Sequence, residues 1–232
     1  MGLAALSKEN AMNTFATPEP VLVVLDIPAG RVRLVAGERA ESTVEVLPAE
    51  SSKKRDVKAA EQTAVEYSDG ILRITTAEAS RFLGSGSVDV TVQVPAGSRV
   101  EGKAAAAELY GTGPLGEVVF DGAYRLVDLA EVAGARLTVH SGSVAIGRLT
   151  GSAQISNGTG DITIAEAVAG VVELRTEAGN VTVHAARGVS ATLDAGTSRG
   201  RITNALKNGD GADAALTIKA TASAGDITAT SL

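Results

Sequence analysis

The sequence predicts an all-β chain. Its C-terminal half is expected to form a narrow parallel β-solenoid of about five coils, each of roughly 18–25 residues. A β-strand-rich N-terminal part should cap that stack or begin it. Three observations lead there. Apolar and polar residues alternate with period two through the first half, the pattern of half-buried strands. A glycine-centred signal recurs through the second half. The composition, 44 % hydrophobic with 3 Phe, 3 Tyr and no Trp, leaves Val, Ile, Leu and Ala to fill a thin core.

Residues 1–12 read as a disordered N-terminal extension, and 13–232 as a single domain with a strand-rich part (13–100) and coils (101–232). The first residues have no basic leader before an apolar core, so they make a poor signal peptide, and Met12 is an alternative start. The longest apolar run, Val21 to Leu25, is strand length and far short of the roughly 20 residues of a membrane span. The expected location is the cytoplasm, with no membrane insertion. Val32, Leu34 and Ala36 alternate with their neighbours, as do Val44 and Val46. Ser68-Asp69-Gly70 is a hairpin turn signal before Ile71. Val88, Val90, Val92 and Val94 form the cleanest alternation. Pro-Ala-Gly at 28–30 and 95–97 should each close one strand before another. Lys53–Thr63 reads as a short helix with a solvated basic face.

The repeat begins at Gly134. Gly-x-apolar recurs at Gly142, Gly160, Gly179, Gly200 and Gly225. An apolar column precedes it at Leu137, Ile155, Leu174, Leu193 and Ile218. The gap between the two is seven residues in the first three units and nine in the last two. A nearly fixed gap with a drifting period specifies the corner and leaves the return connection free. Coils of this size hold two short strands and stack at about 4.8 Å.

Stacking turns outward residues into ladders. One is Thr163, Thr182, Thr203 and Thr228 with Ala145 at its head; another is Asp161, Asn180 and Asp226, interrupted by Arg201. The threonines suit outward strand positions, and an ice-ordering face is the sharper alternative. The Asx column suits turn amides, and calcium is the sharper alternative, although each coil carries too few acids for such a site. With no Cys and only His140 and His184, thiolate metal centres, disulfides and cysteine nucleophiles are excluded. The two His follow what read as equivalent strands in alternate coils. Asp194, Glu173 and Asp161 are scattered over faces, and Ser141, Ser143 and Ser198 have no base placed beside them, so no enzyme activity and no cofactor are expected. The net charge of −6 and the scarcity of aromatics disfavour nucleic acid.

Several segments carry a resemblance. They are Thr17-Pro18-Glu19-Pro20, Asp56-Val57-Lys58-Ala59-Ala60-Glu61-Gln62-Thr63, Val65-Glu66-Tyr67 and Asp69-Gly70. Gly86-Ser87-Val88-Asp89-Val90, Pro95-Ala96-Gly97-Ser98, Leu115-Gly116-Glu117-Val118 and the Gly-Asp-Ile turns at Gly160 and Gly225 continue the match. From Asn13 onward the chain resembles a bacterial domain-of-unknown-function family, in its actinobacterial form, that is labelled "putative adhesin". The resemblance implies a β-solenoid-like fold and brings no catalytic residues. The expected role is a non-catalytic protein-interaction or scaffold module. One alternative is a structural protein that self-associates end to end through an uncovered C-terminal strand. A second is a cell-surface adhesin or carbohydrate-binding protein.

Overall fold

Alternation puts every second apolar residue on one side of a strand. Fifteen strands form in one sheet among the residues that the computed structural model describes, 12–76 and 86–232. Residues 1–11 of the expected N-terminal extension lie outside the described residues. In chain order the elements are β1 (Asn13–Ala16), β2 (Leu22–Gly37), β3 (Glu41–Pro48), α1 (Lys54–Glu61), β4 (Thr63–Ser68), β5 (Ile71–Thr76) and β6 (Val88–Pro95). The long β7 (Arg99–Leu149) follows, then β8 (Ala153–Thr159), β9 (Ile162–Ala167), β10 (Gly170–Ala178) and β11 (Val181–Ala185). β12 (Ala191–Thr197), β13 (Ile202–Ala205), β14 (Leu216–Ala224) and β15 (Ile227–Ser231) complete the chain.

The N-terminal part both begins and caps the stack. β2 bends at Pro28-Ala29-Gly30 and continues, so this tripeptide turns the strand without ending it; Gly30 has φ +133°. One edge of β2 pairs in parallel with β7 from Leu22↔Arg99 to Val35↔Thr112. Its other edge pairs in parallel with β5 and then with β6. Beyond that layer the pairing reverses. β4 is antiparallel to β5 through the Asp69-Gly70 turn (φ +51° and +76°), a conformation suited to a two-residue hairpin. β3 is antiparallel to β6, and β1 to β3. Helix α1 lies within the expected Lys53–Thr63 and buries Asp56 and Ala59; Asp56 Oδ1 accepts the Ser87 N–H. The rings of Phe15 and Tyr67, 5.6 Å apart, close the core at this end. The chain is all-β, as expected, and its sheet is mixed, with the antiparallel pairs in the N-terminal part. A two-residue turn reverses β4 onto β5, whereas β3 meets β6 and β1 meets β3 across intervening elements, and the reversed strands finish the layer that β5 and β6 start.

The C-terminal half forms two parallel ladders. The first runs from Ala135–Ser141 of β7 to β8, β10, β14 and β12. The second runs from Val144–Leu149 of β7 to β9, β11, β15 and β13. Spatial and chain order part company here. β14 and β15 lie between the β10–β11 layer and the β12–β13 layer. The C-terminal strand is therefore paired on both sides, which overturns the expectation that it forms an uncovered end.

The apolar columns also shift. Leu137, Ile155 and Leu174 are in register as expected, but the next members are Ala220 and Ala195. Ile218 and Leu193 belong to the neighbouring column with Val172 and Ala153. A displacement of two residues keeps a side chain on the same face, so hydrophobicity alone does not distinguish these columns. With Ala220 and Ala195 as anchors, the corner spans seven residues in every layer.

The recurring glycines are explained by the close approach of successive corners. A Cβ on Gly160 would lie 2.1 Å from Gly142 O, and one on Gly225 would lie 1.9 Å from Gly179 O. Both residues also have positive φ, +128° and +146°. The core itself is narrow. Phe120, 1 % exposed, fits because Gly102 in the adjacent layer has no side chain; a Cβ there would lie 2.5 Å from the ring.

Candidate interaction surface

The fold delivers the outward ladders in register. Thr163 is opposite Thr182, Thr182 opposite Thr228, and Thr228 opposite Thr203, with Ala145 beside Thr163. The spatial order of the last two is the reverse of the chain order. The Asx column follows the same order and works as a chain of caps. Asp161 Oδ1 accepts the Asn180 N–H at 2.7 Å, Asn180 Oδ1 accepts the Asp226 N–H at 2.9 Å, and Asp226 Oδ1 accepts the Arg201 N–H at 2.8 Å. Each side chain thus satisfies a corner amide of the next layer, 19 to 46 residues away in sequence, and not one in its own turn. Among the described residues no group of three His, Asp or Glu side chains could hold a metal ion.

Inside the corner, Asn157 Nδ2 donates to Gly142 O and Gly160 O, both at 2.9 Å. Thr176 Oγ1 donates to Gly160 O, and Thr197 Oγ1 to Gly225 O. The two histidines fall on different ladders, which corrects the expectation of equivalent positions. His140 lies on β7 and lines a groove with Asp26, Thr76, Lys103 and Asp121. His184 lies on β11, where Nδ1 meets Thr230 Oγ1 at 2.6 Å. The reason is the corner itself: His140 precedes Gly142, whereas His184 follows Gly179.

The outward face of β8, β10, β14 and β12 is a shallow trough with mixed charge. Gln154, Glu173, Lys219 and Asp194 form one column. Ser156, Arg175, Thr221 and Gly196 form the next. Lys219 Nζ donates to Glu173 Oε1 at 3.0 Å. On the neighbouring ladder Arg148 meets Glu166 at 2.7 Å.

Sequence reasoning missed a second charged cluster near α1. Arg31 bridges Asp89 (3.4 Å) and Glu108 (3.2 Å), and Arg125 approaches Glu108 at 3.6 Å. Tyr110 Oη donates to the same carboxylate. The Arg31 guanidinium is raised from its ordinary pKa, first by the hydrogen bond to Glu108 and then by the Asp89 charge. Partial burial pushes the Glu108 carboxyl up, but Arg31, Tyr110 and Arg125 outweigh it and hold the group below the ordinary value. Arg125 sits at a corner with φ +93°, where other layers carry Gly.

No protein-family model matches the chain, and no curated protein matches it. Solved structures of similar shape exist. A "putative adhesin" from Bacteroides fragilis is similar over 96 % of this chain and 98 % of its own, at 12 % identity and a TM-score of 0.49. A "putative cell adhesion protein" from Clostridium sporogenes is similar over 97 % and 100 %, at 15 % identity and a TM-score of 0.42. A "putative adhesin" from Parabacteroides distasonis is similar over 95 % and 97 %, at 15 % identity and a TM-score of 0.42. No helix of the described residues is long and apolar enough to cross a membrane.

Proposed function

We propose that the chain is a non-catalytic interaction module. In this reading its parallel layers act as a solenoid, and the outward face of β8, β10, β14 and β12 binds another protein. One observation carries the reading: the side chains of that face stand in register across four strands, with Glu173, Lys219 and Asp194 alternating in charge along one column. Stacked layers hold such columns at fixed spacing, and repeat faces of this kind bind extended partners across several units. The mixed charge suits a partner segment that carries both signs, because each fixed charge rejects a misplaced like charge.

The test is affinity capture from the source cells with the unaltered chain and with a variant carrying Arg175→Glu and Thr221→Glu. A partner recovered by the first and lost by the second supports the reading. A partner held equally by both, or none above background, overturns it. Placement in the cytoplasm belongs to the same reading, and fractionation of the source cells tests it. Recovery at the cell surface would favour an adhesin role instead.

A further inference from the structure

We infer that the outer edge of the β12–β13 layer docks a second copy of this chain, giving a closed end-to-end pair. The core states the need for a cover. Val144, Ile162, Val181 and Ile227 occupy one inner column and are 0–1 % exposed, whereas Ile202, in register with Ile227, is 42 % exposed. Leu193, Ala195 and Leu206 of the same layer are only partly buried, although they pack on the core.

The backbone states the same need. Among the described residues β12 pairs only with β14, and β13 only with β15. Peptide groups along a strand point alternately to its two sides. Ser190 O accepts the Leu216 N–H and the Ser198 N–H donates to Ala222 O, so the groups of these even-numbered residues face the β14 layer. Those of Leu193 and Ala195 then face the open side. The Ala191 N–H on that side is taken by Lys207 O, and the N–H groups of Gly209 and Asp210 bond to Ser190 Oγ. The return segment therefore guards one border of the layer and leaves the middle of β12 uncovered. A free strand edge over an exposed apolar layer is a template for pairing.

The partner must bring a free edge and an apolar layer of matching outline. Among the described residues the opposite end does not: β3 and β1 extend beyond β6 while one strand, β4, extends beyond β5, so that end is stepped by one strand, and the Phe15–Tyr67 pair packs on its core. Head-to-tail stacking is thereby disfavoured. The matching surface is the same layer of another molecule, turned about a two-fold axis with the edge strands antiparallel. Asp194 shares this layer with Arg199, Arg201 and Lys207, so a reversed copy can bring the acid of one molecule to the bases of the other.

The inference turns on the open edge of β12 and on Ile202 and shares only Asp194 with the outward face, so Arg175→Glu on that face and Ile202→Lys on the edge tell the two readings apart. Analytical ultracentrifugation of the full chain from micromolar to millimolar concentration is the test. The unaltered protein is expected to double its mass and grow no further. Ile202→Lys buries a charge in the contact, and Ala195→Pro removes an outward N–H that an edge strand tolerates losing. Each is expected to raise the dissociation constant at least about tenfold with an unchanged circular dichroism spectrum. Thr14→Lys on β1 and Arg175→Glu on the outward face are expected to leave association unchanged. If Ala195→Pro disturbs folding, the already exposed Ile202 carries the test alone. A monomer at millimolar concentration, a dimer that survives Ile202→Lys, or masses that keep growing beyond the dimer would each overturn the inference.

Discussion

Glu108 lies between Arg31, Arg125 and the Tyr110 hydroxyl, with its side chain 16 % exposed. A carboxyl held below its ordinary pKa adds stability above its unfolded pKa, near about 4.3, and loses it as pH falls through the folded value. Arg31 is 39 % exposed, so solvent screens part of the pair. Glu108→Gln is therefore expected to cost about 1 kcal/mol at neutral pH. Thermal melts of both proteins against pH should converge as the solution is acidified below the ordinary carboxylate range; a gap that persists there would refute the electrostatic account. This cluster was not legible in the sequence. Its partners come from 77 and 58 residues away, and each charge alone looks like a solvated strand residue. The Asx column was legible as a column, because its members share one position before the corner's apolar residue, although the amides they cap lie in the next layer.

Between successive layers of β7, the Phe120 ring packs against Gly102. Gly102→Ala drives a methyl into the ring, and Phe120→Leu frees the space. Each single substitution is expected to destabilise by about 1–3 kcal/mol. The double variant should be more stable than the sum of the two losses implies, with a coupling on the order of 1 kcal/mol from chemical denaturation. Strict additivity would show that the two residues do not share a constraint. Strands and corners were readable because alternation and the corner glycines are local consequences of pleating and close backbone approach. The column offset in the last two layers was not readable. Ile218 and Leu193 face inward as well as Ala220 and Ala195 do, and only the ladder partners distinguish the two assignments.

At the scale of the molecule, layer order decides which segments depend on which. A chain lacking residues 215–232 loses an interior layer, so β12 and β13 lose the ladder partners they have among the described residues, β14 and β15. Hydrogen exchange of that truncated chain should find the amides of Asp194, Gly196 and Ser198, which face β14 in the intact chain, unprotected while β8 stays protected. Protection retained in β12 would mean that it can dock directly on β10, contrary to the observed order. The exchange of positions was hidden from sequence reading because the last two layers carry the same Gly-x-Ile corner, the same outward threonine and the same nine-residue gap between Leu193 or Ile218 and the corner isoleucine. Nothing in either segment states its neighbour. The antiparallel cap was hidden for a related reason, since alternation reports burial and not strand direction.

The same exchange shapes how the molecule can be made. During synthesis the β7 to β11 layers can each settle on the one before as they emerge. Residues 191–205 cannot reach their final place in that way. They must wait until residues 216–231 have left the ribosome and filled the intervening layer, so assembly pauses with a provisional end exposed. Slowing translation of the last two segments would lengthen that wait, and it is in this window that the chain is most open to pairing with the wrong strand.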